Sequence, residues 1–380
     1  MRDDDIQQNE LKQTVTQQLN FTGSGKEYFR IWIVNLCLTI ATFGIYSAWA
    51  KVRRQQYFDR NTSLAGSVFN FHGDPIAILK GRFIALALLL AYHYAFGFSK
   101  TFGIIVVLLI FFGMPWLIRS ALRFRLRNTS YRGLRFNFNG TIAGAYLSYA
   151  PLLLVLIFPA CFVALFPGKP VWLASCLGVL YLCWPLIHGR MKVYQHSHLQ
   201  YGDQSSTYSG NSISLLKSYA IAAALGLVLV LLFVMLSGIG TTIWVASHKG
   251  AEAQSRIFDF ILFALFGFLY TYIAYLLLGP YLQVRIWNLV WNRTRFPGLS
   301  IQSTLRVLPY ARLQAVNVIL TLITLGLFRP FAVVRIYRYR LAHLSVTSDS
   351  LDDFFQRQQA EKISANGDGA ADFLGIDLSW

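Results

Sequence analysis

The sequence predicts an all-α polytopic membrane protein: three transmembrane helical hairpins flanked by two duplicated Thr/Gly-broken segments, with short β-strands in the cytoplasmic loops. Three observations carry this. Of 380 residues 55% are hydrophobic and only 13% charged, with a mean hydropathy of +0.46, a balance no ordinary soluble domain has. Apolar windows of about 20 residues, enough to cross a roughly 30 Å hydrocarbon core, recur along the chain. The stretch NLCLTIATFGIYSAWAKVR, Asn35 to Arg53, returns as NVILTLITLGLFRPFAVVR, Asn317 to Arg335, at a constant offset of 282. Shared apolar residues are cheap, so the duplication rests on the Asn, the two Thr, the Gly and the Arg in register.

In chain order, residues 1–18 form a polar, Gln-rich tail too poor in apolar residues for a core. The membrane domain then runs over 19–346, and 347–380 is an acidic tail. Candidate spans are 82–99, 102–119, 143–166, 171–188, 218–247 and 258–282, with further segments near 31–50 and 313–334. A second repeat separates them. NTSLAGSVFNFHG, Asn61 to Gly73, superposes on NTSYRGLRFNFNG, Asn128 to Gly140, at an offset of 67, with LNFTG at Leu19 and GDQSSTYSG at Gly202 as fainter relatives. Apolar and polar residues alternating between glycines have a strand period, so these read as short strands against the membrane.

The whole-chain charge of +17 leaves about +24 between the tails, because residues 1–28 and 345–380 are net acidic. The inter-hairpin loops 51–80, 119–142, 189–217 and 283–312 hold 19 Lys and Arg, against four at the hairpin tips, Lys100, Lys169, Lys249 and Arg256. That asymmetry orients a membrane protein with its loops in the cytoplasm, and accounts for the charge better than nucleic acid does. Parity leaves two topologies open. If 31–50 and 313–334 cross fully there are eight spans with external tails, and Arg335 falls on the opposite side from Arg53. If both re-enter, turning at Thr39-x-x-Thr42-x-Gly44 and Thr321-x-x-Thr324-x-Gly326, six spans remain and the charge rule is obeyed.

Candidate functional residues fall into two groups. Asn35, Thr39, Thr42, Gly44, Asn317, Thr321, Thr324 and Gly326, with His93 deep in an apolar segment, could line a polar pathway or serve as hydrogen-bonding glue between helices. Trp49, Arg53, Arg54, Trp116, Arg119, Arg123, Arg285 and Arg335 end membrane helices with an aromatic ring followed by a guanidinium, the pattern that anchors a helix at anionic headgroups. No nucleophile elbow, P-loop or HExxH is present, so no enzyme is expected. Cys37, Cys161, Cys176 and Cys183 have no CxxC spacing and His196-Ser-His198 has no third ligand, so no metal or other cofactor is expected.

Phe21-Thr-Gly23, Tyr28-Phe29, Asn35, Leu38-Thr39, Thr42, Gly44-Ile-Tyr46, Trp49-Ala-Lys-Val-Arg53, Tyr57, Gly66, Phe69-x-Phe-x-Gly73 and Lys80-Gly-Arg82 together resemble the bacterial inner-membrane family YjgN, a domain of unknown function. The resemblance runs from about 19 to 346 and implies a multi-pass protein of a Gram-negative inner membrane. It transfers no activity. The leading expectation is a transport-type protein, a permease or channel for a small solute or ion; the alternative is a non-transporting envelope protein that organises anionic lipids or partner proteins at the cytoplasmic face. Solute and oligomeric state are left open.

Overall fold

The computed structural model describes residues 15–165, 168, 170–247 and 253–348. The N-terminal tail to residue 14, the acidic tail beyond 348 and most of the tip around 248–252 lie outside the described residues.

Ten helices, taken in chain order, make five consecutive pairs among the described residues. They are α1 (Gly25–Ala41) with α2 (Ser47–Arg60), α3 (Pro75–Phe98) with α4 (Lys100–Arg127), α5 (Ile142–Leu165) with α6 (Pro170–His196), α7 (Leu216–Ser247) with α8 (Ala253–Asn292), and α9 (Val307–Ile323) with α10 (Arg329–Ala342). The two outermost pairs are short. At about 1.5 Å per residue, the 17 residues of α1 and α9 and the 14 of α2 and α10 reach about 25 and 21 Å, less than a membrane core. By length and composition five helical stretches could cross: Pro75–Tyr94, Thr101–Arg127, Val171–Ser197, Ser212–Gly238 and Ala264–Asn292; the described apolar stretch Ile142–Leu153 is shorter.

The short strands expected in the loops are present, and they assemble into sheets. β1 (Val15–Gln18), β2 (Asn20–Phe21), β3 (Thr62–Leu64), β4 (Ser67–Phe71), β5 (Thr129–Tyr131), β6 (Leu134–Phe138), β7 (Leu199–Tyr201), β8 (Gln204–Ser205), β9 (Thr207–Tyr208), β10 (Thr294–Phe296), β11 (Leu299–Ser303) and β12 (Leu344–Ser348) pair with one another, and every pairing is antiparallel. One sheet has the order β2-β3-β4-β5-β6-β7-β8 and the other β1-β12-β11-β10-β9. β1 continues into β2 across Leu19, whose N–H donates to the Leu344 carbonyl, and β8 continues into β9 across Ser206, whose N–H donates to Leu199. Two bent strands therefore belong to both sheets, and the meander closes into a ring. Val15–Gln18, expected as loose tail, is part of the seam.

Each helical pair is bracketed by two strands that pair with each other: β2 with β3, β4 with β5, β6 with β7, β9 with β10, β11 with β12. Tight turns join the rest. Ala65-Gly66 and Arg132-Gly133 turn with both residues at positive φ (44° and 75°, 45° and 79°), the two-residue type that matches strand twist. Because successive strands alternate in direction, all helical pairs leave from one rim of the ring and all tight turns lie at the other.

The ring is filled. Leu64, Tyr131, Leu134, Tyr201, Leu299 and Val346 form one buried cluster, joined by Leu19, Phe69, Phe136, Phe296 and Ile301, so that strands from all round the ring meet in a common core. Tyr131 Oη donates to the Leu64 carbonyl at 2.5 Å and Tyr201 Oη to the Tyr131 carbonyl at 3.0 Å. The first and last helical pairs lie side by side, with Phe21, Tyr28 and Phe58 packed on Val334, Leu341 and Leu344, and Phe29 stacked on Phe331 at 5.6 Å.

Candidate functional site

The two short pairs are built alike, element boundary for element boundary, at the offset of 282. Each starts at the ring and returns to it: Asn20 and Phe21 before α1 pair with Ser63 and Thr62 after α2, and Leu299–Ser303 before α9 pair with Leu344–Ser348 after α10. A serine opens α1: Glu27 N–H donates to Ser24 Oγ and Ser24 N–H to Glu27 Oε2, a capping box that Tyr57 Oη clamps from α2 by donating to the Ser24 carbonyl at 2.8 Å.

The repeated Thr and Gly residues make the turns. Thr42 Oγ donates to the Leu38 carbonyl at 2.8 Å and accepts from Tyr46 N–H at 2.9 Å; Thr324 Oγ does the same with Leu320 at 2.7 Å and Phe328 at 2.9 Å. Thr39 and Thr321 donate at 2.6 Å to the carbonyls of Asn35 and Asn317. Gly44 and Gly326 stand at φ 92°, which only glycine adopts freely, preceded by Phe43 and Leu325 at φ 49° and 50°. Those two side chains are 99% and 94% exposed, large apolar groups held out at the tips. Asn35 and Asn317 are buried, and Asn317 Nδ2 donates across the pair to the Ala332 carbonyl. Each leaves its Oδ1 buried without a partner among the described residues. His93 is exposed on α3, its ring against the edge of Tyr94, rather than enclosed between helices.

The expected headgroup anchors divide. Arg53, Arg54, Arg285 and Arg335 are exposed, and each lies over an aromatic ring of its own helix or the preceding turn: Tyr46, Phe58, Tyr281 and Phe328, at 5.6 to 5.9 Å from the centroid. Trp49, Trp116, Arg119 and Arg123 are half-buried, and Arg119 Nε donates to the Gly140 carbonyl at 2.5 Å, tying α4 to the end of β6. Next to Arg53 is a cavity of about 530 Å³ lined by Arg30, Ile31, Val34, Arg53, Gln56, Tyr57, Arg60 and Asn61. Arg30 and Arg60 went unnoticed in the sequence. Counting outward from the Phe43-Gly44 turn would have found Arg30, since residues equidistant from a hairpin turn face each other and Arg30 stands opposite Tyr57.

No group of three or more metal-ligating side chains occurs among the described residues. His196 Nδ1 is hydrogen-bonded to Thr294 Oγ and His198 Nδ1 to the Tyr194 carbonyl, so the His-Ser-His sequence joins α6 to the ring.

Asp59, in the last turn of α2 beside the ring, is 7% exposed. Burial raises its carboxyl to about 6, against the opposing effects of the Gln55 hydrogen bond and the Arg125 charge. Folding thus favours the protonated form, and its contribution to stability is full below about pH 4 and lost as pH rises through about 6. Asp59→Asn is expected to remove that slope and to gain on the order of 2 kcal/mol at neutral pH. Unfolding midpoints from pH 4 to 8 check this; an unchanged slope would refute the assignment.

Comparison with known proteins adds three findings. The family model for bacterial proteins of unknown function, DUF898, matches residues 16–373. Inner membrane protein YjgN of Salmonella typhimurium is 23% identical over 363 residues, 87% of this chain and 88% of that one. Inner membrane protein YjgN of Escherichia coli K12 is 30% identical over 131 residues, 33% of this chain and 31% of that one. No solved structure matches. With several helices of membrane length and composition, the chain is a multi-pass membrane protein.

Proposed function

This chain belongs to the DUF898 family, and from that premise we propose that it is an inner-membrane scaffold that organises anionic lipids around a cytoplasmic collar. The observation that carries the reading is the shared rim: five helical pairs leave one edge of a closed ring, and exposed arginines of the two short pairs stand over aromatic rings of their turns. The three long pairs cross the membrane. The two short pairs, duplicates of each other, re-enter, because both of their ends are hydrogen-bonded to the ring while their tips carry Phe43 and Leu325 into the apolar phase. The ring lies on the cytoplasmic side, where the positive-inside rule places its basic loops, and the location follows the names of the YjgN relatives.

A transport path along the axis is less well served. The Thr hydroxyls such a path would need are engaged with their own helix backbones, and the ring is filled by Tyr131, Tyr201, Phe69 and Phe136.

Two measurements test the reading. In a background without the four natural cysteines, Lys26→Cys and Arg135→Cys are expected to resist an impermeant maleimide in intact cells and react after lysis, with Lys249→Cys labelled throughout. Lipids retained by the purified protein are expected to be several-fold richer in anionic species than the bulk membrane. Labelling of the ring in intact cells would overturn the orientation, and retained lipid of bulk composition would overturn the scaffold.

A further inference from the structure

We infer that the groove between α1 and α2 is a binding site for a phosphate-bearing group, at which one anionic phospholipid is held by its headgroup. The inference rests on the lipid-organising reading and names a specific place for it. Arg30 comes from α1, and Arg53 and Arg60 come from α2 two turns apart, all lining one cavity of about 530 Å³. All three are exposed, and among the described residues none has a carboxylate partner. Arg60 engages only its Nε, with Asn70 Oδ1 at 3.1 Å, and Arg53 lies over Tyr46. Glu27, the nearby acid, is already held by Ser24 and Tyr57. Three like charges converging on one cavity repel one another unless an anion sits between them, and planar guanidinium forks match phosphate oxygens.

The walls argue for a lipid rather than a soluble phosphate. Ile31 and Val34 make the α1 wall apolar between the levels of Arg30 and Arg53, and beyond Arg53 the exposed Leu38, Ile40 and Ile45 carry apolar surface on to the tip at Phe43. A headgroup at the arginines therefore has its acyl chain leaving along an apolar stripe in the direction of the membrane interior. The twin pair α9–α10 repeats Arg30 and Arg53 as Arg312 and Arg335 but lacks the third arginine. Where α2 has Arg60 it has Ala342, and Arg338, at the position of Gln56, donates to the Gly23 carbonyl at 2.7 Å. The duplicated scaffold thus carries the three-arginine arrangement once.

The test titrates phosphatidylglycerol against the full-length protein in detergent and reads lipid-bound species by native mass spectrometry, with phosphatidylcholine and inorganic phosphate as parallel arms. Arg30→Gln/Arg53→Gln is expected to weaken the first bound phosphatidylglycerol by about tenfold or more, and Arg30→Lys/Arg53→Lys by less, since charge is kept and the fork lost. Arg135→Gln, an exposed residue on β6, serves as the control and is expected to leave binding unchanged. Unfolding midpoints exclude a variant that binds weakly only because it is misfolded. If the wild type does not prefer phosphatidylglycerol to phosphatidylcholine, the scaffold reading and the site fall together. If the preference is present but indifferent to both double variants, the site alone falls. Displacement of the bound lipid by millimolar inorganic phosphate would overturn the lipid assignment and give the groove to a soluble phosphate compound.

Discussion

Alanine at Gly189 is expected to destabilise the protein by about 3 kcal/mol or more, a large loss for one methyl group. Gly189 lies in α6 where the helix meets the backbone of the short 3₁₀ turn Ser212–Leu215 that leads into α7. A Cβ there would stand 2.0 Å from the Ser212 carbonyl oxygen and under 3 Å from its carbonyl carbon and Cα. All three are main-chain atoms, so no rotamer change relieves the clash and two hairpins have to separate. Gly178, in the same helix, has nothing within 4 Å of its added Cβ. Gly178→Ala should therefore be neutral or stabilising by up to about 1 kcal/mol through helix propensity. Thermal unfolding of the two purified variants side by side separates packing from propensity, and equal midpoints would mean that α6 and the turn are not in contact.

Tyr131→Ala is expected to cost about 3 to 5 kcal/mol and to disrupt the ring. The side chain is 2% exposed, its ring 4.6 Å from Phe69, and its hydroxyl holds the Leu64 carbonyl on the neighbouring hairpin while its own carbonyl receives Tyr201. Tyr131→Phe keeps the ring and removes only the donor, leaving a buried carbonyl short of a partner, for a loss of about 1 to 2 kcal/mol. A small loss in the alanine variant, measured by the same melts, would show that the ring core does not carry the fold.

Much of the molecule was legible because its information is local. Strands β3 to β6 lie where apolar and polar residues alternate between glycines, and Gly66 and Gly133 mark the turns that need positive φ. The Thr and Gly residues shared at the offset of 282 build the turns of the two short pairs, where the sequence suggested only single segments near 31–50 and 313–334. Strands β10 to β12 escaped notice: Thr294–Phe296 and Leu299–Ser303 flank a Pro-Gly turn but lack the flanking glycines of the other copies, and Leu344–Ser348 looked like the start of a polar tail. Ring closure was beyond reach from the chain alone. Val15 pairs with Ser348, more than 300 residues further on, and no local pattern announces a partner that distant. The same holds for the groove, whose arginines come together only once the turn is known. Arg119, a headgroup-anchor candidate in one dimension, also makes a tie to the Gly140 carbonyl that no sequence pattern announces.

The seam of the ring also sets an order of events during synthesis. Each of the first three strand-bracketed hairpins can close on itself as it emerges, because its two flanking strands are near in sequence and the loop entropy between them is modest. The strand Val15–Gln18 is made more than 300 residues before its partner Leu344–Ser348. Until that partner emerges, the earlier strand is an unpaired β edge, the kind of surface that invites wrong pairing. Shortening the chain before residue 344 would leave every crossing helix intact and the collar permanently unfastened.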